Sequence, residues 1–104
     1  MSTPAEATPQ DAFAAVSKGD GVLLDVREPW EYEQVHIPGA VLIPLAEIPD
    51  RLTEVPSDQD VYVHCRLGGR SGRAVEYLRE QGRPRTINVL GGIEAWQDAG
   101  LPTS

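Results

Sequence analysis

Four short apolar runs constrain this chain most: GVLLDV (21–26), VLIPL (41–45), VYVHC (61–65) and TINVL (86–90). They are largely continuous rather than alternating, as strands buried on both faces are. Helix-like or turn-like stretches lie between them. TPQDAFAAVSKG (8–19) has Thr8 as N-cap, Pro9 at the first helical position and Gly19 as its stop, with Ala12, Phe13 and Val16 on the buried side. EPWEYEQV (28–35) opens a short helix on Pro29, and HIPGA (36–40) is a turn. Pro44 ends the second run. AEIPDRL (46–52) offers one or two helical turns, interrupted by Pro49. SGRAVEYLREQG (71–82) is the best helix, with Ser71 as candidate cap, Ala74, Val75 and Leu78 inward and Gly82 as the stop. GG then leads into IEAWQDAG (93–100), another short helix. Strands alternating with helices imply an α/β fold, a mainly parallel sheet with helices on both faces. Ligands of such sheets sit beyond the carboxyl ends of the strands. Cys65, Asp25 and the pair Gly91–Gly92 all follow strand ends and are expected to converge there.

The length of 104 residues suits a single domain, 1–104, with a core of its own. No apolar stretch reaches the length of a membrane span, and MSTPAEATPQ lacks the basic and apolar regions of a signal peptide. A lone cysteine makes no internal disulfide, and a cytoplasmic location is expected. The net charge of −7 argues against nucleic acid as a partner. The basic residues gather late: six of the nine lie in 61–104, among them Arg66, Arg70 and Arg73.

Cys65 stands at the end of a strand and opens the loop Arg66-Leu67-Gly68-Gly69-Arg70. Adjacent glycines let the backbone fold tightly and turn its N–H groups inward as a nest for an anion. The start of the next helix adds positive potential, and two arginines add charge. A thiol there is expected to have a lowered pKa and to act as a nucleophile. A cysteine that only fills the core needs neither the glycines nor the arginines.

His64 points to the opposite side of the strand from Cys65 and reads as a packed, hydrogen-bonded histidine. His36 reads as structural. Asp25 and Arg27 flank a strand end and read as a salt bridge or cap supporting the site. Trp30 and Trp96 read as core or rim aromatics. No metal or organic cofactor is suggested, since Cys65, His36 and His64 lack ligand-like spacing.

Three stretches resemble the rhodanese family of sulfurtransferases. LLDVREPWEYEQVHIPGA is similar to the family's early signature, CRLGGR to its active-site loop Cys-x-x-Gly-x-Arg, and NVLGGIEAW to its closing Gly-Gly-x-x-x-Trp. Val35 departs from the pattern, standing where the family usually has glycine. The resemblance implies a central parallel sheet of five strands, the fifth a short one around Ser2 to Ala7. It also implies a chemistry of the thiosulfate sulfurtransferase type. Cys65 takes the outer sulfur of a donor such as thiosulfate or a persulfide, and passes it to cyanide or a thiol. Residues 66–71, with Ser71 extending the loop, hold the sulfur and the anion. Arg70 closes the loop; Arg66 binds the donor or only steers it. A thioredoxin-like or sulfur-carrier protein is a possible acceptor.

Two alternatives share these residues. VHCRLGGRS also looks like the tyrosine phosphatase signature, but only four residues separate Cys65 from Arg70, one too few. The shorter loop closes around a sulfur and argues against a phosphatase or arsenate reductase. A non-catalytic binding module of the same fold is the other alternative, and the presence of Cys65 and both loop arginines weakens it.

Overall fold

The computed structural model describes residues 4–104. Its sheet has five strands: β1 (Glu6–Ala7), β2 (Gly21–Asp25), β3 (Val41–Leu42), β4 (Asp60–His64) and β5 (Thr86–Val89). They lie in the order β1-β5-β4-β2-β3, and every neighbouring pair is parallel. The α-helices are α1 (Pro9–Ser17), α2 (Pro29–Gln34), α3 (Gly69–Glu80) and α4 (Gly92–Asp98). The expected α/β fold with a parallel five-stranded sheet is what the chain adopts.

The sheet separates two apolar layers. On one face Leu24, Val26, Val61, Val63 and Cys65 pack against Ala74, Val75 and Leu78 of α3 and against Ile48 and Val55. On the other, Leu23, Tyr62, Ile87 and Val89 pack against Ala12 of α1 and against Ile93 and Trp96 of α4. Each large side chain buried this way stabilises the fold by about 1.5–3 kcal/mol. The runs read as continuous because both faces of β2, β4 and β5 are covered. Among the described residues no helix is long and apolar enough to cross a membrane.

Local signals account for the helix starts. The Asp11 N–H donates to Thr8 Oγ1 at 3.1 Å, capping α1. Pro29 opens α2, where the Glu28 N–H donates to Glu31 Oε1 at 3.0 Å. Leu45–Glu54 forms two short 3₁₀ pieces joined across a kink, with Pro49 inside the segment. Proline has no N–H to give an α-helical ladder, and Arg51 leaves helical geometry at φ −123°. The run VLIPL contributes only Val41 and Leu42 as strand. The N-terminal strand is also shorter than expected within the described part: only Glu6–Ala7 pair, while Ser2 and Thr3 lie outside the described residues.

One assignment is corrected. Ser71 does not cap α3. The cap is Gly68, at φ 108°, and the helix begins at Gly69. The left-handed conformation that ends the loop requires glycine, so the turn is completed three residues before Ser71.

Candidate active site

β4 delivers Cys65 to the carboxyl edge of the sheet, and the tight turn at Gly68 folds the chain back over the sulfur. The Gly68 N–H donates to Cys65 Sγ at 3.1 Å, and the Ser71 N–H approaches it at 3.4 Å. The Ser71 hydroxyl lies 3.3 Å from the same sulfur. Cys65 is only 2% exposed, yet it forms the floor of an open cavity of about 430 Å³. Arg66, Leu67, Gly69, Arg70 and Arg73 line the rest.

These contacts set the thiol's acidity. Burial pushes its pKa up. The Ser71 hydroxyl and the N–H groups of Ser71, Gly68 and Leu67 together outweigh burial and hold it below the ordinary thiol value. Those hydrogen bonds do most to lower it, while carboxylates from elsewhere in the chain hold the guanidinium groups of Arg66 and Arg70. Arg70 donates through both terminal nitrogens to Glu31, at 2.7 and 2.9 Å. Arg66 Nε donates to Glu94 at 2.6 Å. The Arg70 bonds, helped by the Glu28 N–H and opposed by burial, bring the Glu31 carboxyl down to about 2.

The NVLGG segment braces the loop from below. The Ile93 N–H donates to the Cys65 carbonyl at 2.9 Å and the Glu94 N–H to that of Arg66 at 3.2 Å. Gly92, at φ 61°, permits this approach, since a Cβ there would run into both carbonyls.

The structure brings Cys65 and residues 66–71 together and places Asp25 and Arg27 beside them rather than in the cavity. Arg27 is buried against Asp25, with its Nη2 2.8 Å from Asp25 Oδ2 and 2.8 Å from the Val35 carbonyl. The pair ties the end of β2 to the end of α2, the helix that carries Glu31. Val35 itself is extended at φ −159°, so no glycine is required there. His64 is fully buried, as expected. Its hydrogen bonding is poorer than expected: Nδ1 lies 3.4 Å from the Cys65 carbonyl, and Nε2, 3.8 Å from Asp25, has no partner among the described residues. Burial pushes its pKa down, favouring the neutral ring. His36 stacks on Tyr32, Trp96 is core, and Trp30 is exposed at a neighbouring cavity that Arg66 also lines. Among the described residues no three His, Cys, Asp or Glu side chains could share a metal ion.

A family model described as "Rhodanese-like domain" matches residues 8–99. This chain belongs to the rhodanese-like domain family. A protein of Allochromatium vinosum named "Sulfurtransferase" is 47% identical over 83 residues, covering 80% of this chain and 78% of that one. The Arabidopsis thaliana protein "Adenylyltransferase and sulfurtransferase MOCS3" is 39% identical over 95 residues, covering 76% of this chain and only 20% of its own length. The crystal structure of a rhodanese-related protein from Thermoplasma volcanium superposes with a TM-score of 0.88 at 30% identity, covering 95% of this chain and 96% of that one.

Within this rhodanese-like domain, four site neighbours escaped the sequence. Glu31 and Glu94 meet their arginines across 39 and 28 residues, a pairing no spacing reveals. Arg73, one turn beyond Arg70, faces the same cavity with no ion-pair partner among the described residues. Asn88 did leave a signal, as the only amide in an apolar strand run.

Proposed function

We propose that this domain, residues 1–104, is a sulfurtransferase that carries a sulfane sulfur as a persulfide on Cys65. The observation that carries this reading is the hydrogen-bonded sulfur itself. The loop N–H groups of Gly68 and Ser71 are directed at Cys65 Sγ. With only four residues between Cys65 and Arg70, the loop favours sulfur over phosphoryl chemistry. The sulfurtransferase names of the Allochromatium and Arabidopsis relatives support the same reading.

With thiosulfate as donor, the Cys65 thiolate attacks the outer sulfur. The S–S bond of thiosulfate breaks, its electron pair leaves with sulfite, and Cys65 keeps a persulfide anion. Cyanide then takes the terminal sulfur as thiocyanate and the thiolate returns. Arg70 and Arg66 stabilise the donor's charge by turning from Glu31 and Glu94, and Arg73 offers a cation that no carboxylate holds among the described residues. A thiol can replace cyanide as acceptor. A thioredoxin-like or sulfur-carrier protein presents such a nucleophile, and the open cavity mouth, with Leu67 exposed beside it, leaves room for one. A free thiol of this kind suits a reducing cytoplasm.

Steady-state kinetics test the scheme. Thiocyanate formation at varied thiosulfate and cyanide is expected to give parallel double-reciprocal lines, with activity absent in Cys65→Ser. Intersecting lines, or a Cys65→Ser variant that keeps its activity, exclude the covalent route.

A further inference from the structure

Asn88 sits on β5, nearly buried, and among the described residues makes two side-chain hydrogen bonds, both to the groups that surround the sulfur. Its Nδ2 donates to the Gly68 carbonyl at 3.2 Å, and its Oδ1 lies 2.6 Å from Ser71 Oγ. The first contact fixes which way the amide points, because a flipped amide would set carbonyl against carbonyl. The Asn88 oxygen therefore faces Ser71. A serine hydroxyl has a single proton. At 2.6 Å from Asn88 Oδ1 and 3.3 Å from Cys65 Sγ, that proton serves one acceptor at a time.

We propose that Asn88 is a positioning residue for Cys65, holding the Gly68 turn in place while competing with the sulfur for the Ser71 proton. With the proton on the Asn88 side, Ser71 Oγ accepts from the Cys65 S–H. With the proton turned to the sulfur, the thiolate gains a donor, and two oxygens 2.6 Å apart are left with none between them. Asn88 thus limits how far Ser71 stabilises the thiolate. That preserves reactivity, since a thiolate's nucleophilicity falls as its pKa falls. A persulfide, with its charge on the outer sulfur, makes less demand on Ser71, and the proton returns to Asn88. The consequence for turnover rests on the sulfurtransferase reading; the competition for the proton does not.

The charged groups around the sulfur are Arg66, Arg70 and Arg73 in its cavity, Glu94 and Glu31 paired to the first two, and Asp25 with its partner Arg27 and with His64 at the adjoining strand ends; Glu6 and Glu76 line the cavity on the Asn88 side. None of them hydrogen-bonds to Ser71 or Asn88 among the described residues, so substitutions at Asn88 leave those pairs in place.

The test is the pH dependence of Cys65 alkylation by iodoacetamide, followed by mass, in the only thiol of the chain. It compares wild type, Asn88→Ala, Ser71→Ala and the double variant. Removing Asn88 is expected to lower the midpoint more when Ser71 is present than when it is alanine. Asn88→Asp, which keeps the acceptor and adds negative charge, is expected to raise it. A purely structural Asn88 only loosens the Gly68 turn and shifts the midpoint equally in both backgrounds, a result that overturns the proposal. If Asn88→Ala does not fold, Asn88→Ser reports the same difference between backgrounds, with the same sign. No sulfur donor enters this measurement. Its failure removes the role of Asn88 and leaves sulfur transfer standing, whereas loss of persulfide formation does the reverse.

Discussion

Glu31 is where stability and the cysteine loop meet, and its removal makes a quantitative test. Its carboxylate accepts both terminal nitrogens of Arg70, and its carboxyl titrates at about 2 instead of the usual 4.5. That gap corresponds to about 3 kcal/mol of folding free energy as an upper limit. Arg70 keeps part of its side chain in water, and screening there reduces the figure to about 2 kcal/mol. A carboxyl whose folded pKa lies below its unfolded one contributes fully above pH 4.5 and loses that contribution as the pH falls through 2. Glu31→Gln is therefore expected to cost about 2 kcal/mol at pH 7. The gap between wild type and variant is expected to shrink by about half at pH 3, because the unfolded carboxyl is then already protonated while the folded pair, titrating at about 2, is still largely ionised. Urea unfolding of both proteins at the two pH values measures this directly. A difference that stays constant from pH 7 to pH 3 would refute the assignment of Glu31 as the ionised partner of Arg70.

Two further substitutions follow from the same geometry. Glu94→Gln releases Arg66, an exposed pair worth little to stability, and is expected to raise kcat/KM for thiosulfate about two- to fivefold at low salt. The gain should fade at high ionic strength, and no gain at low salt would show that Arg66 does not meet the donor. Gly92→Ala places a Cβ against the carbonyls of Cys65 and Arg66 in a left-handed conformation, and is expected to destabilise the fold by about 3 kcal/mol or more. A shift in the thermal midpoint equivalent to less than about 1 kcal/mol would mean that the loop is not braced there.

The sequence made the middle of this molecule readable and its edges less so. β2, β4 and β5 are covered on both faces, so burial itself wrote their apolar runs. β1 has two residues held chiefly by backbone bonds, the Asn88 N–H to the Ala5 carbonyl and the Leu90 N–H to the Ala7 carbonyl. Such bonds leave no side-chain pattern. The cysteine loop was legible because Gly68 and the N–H nest are local features. Ser71 lies in the first turn of α3, just past that loop, and it serves the sulfur rather than the helix end. Helix-cap statistics favour serine, yet the left-handed turn at Gly68 had already started the helix. The partners of Arg66 and Arg70 could not be read at all, because the fold alone brings Glu94 and Glu31 to them.

The central claim is that Cys65 carries sulfur, and intact mass tests it most directly. Reduced protein is incubated with thiosulfate, and in parallel with an organic persulfide, beside Cys65→Ser. A gain of one sulfur on the wild type alone is expected, reversed by cyanide with release of thiocyanate. No gain from either donor in fully reduced wild type, or an equal gain on Cys65→Ser, would contradict the claim.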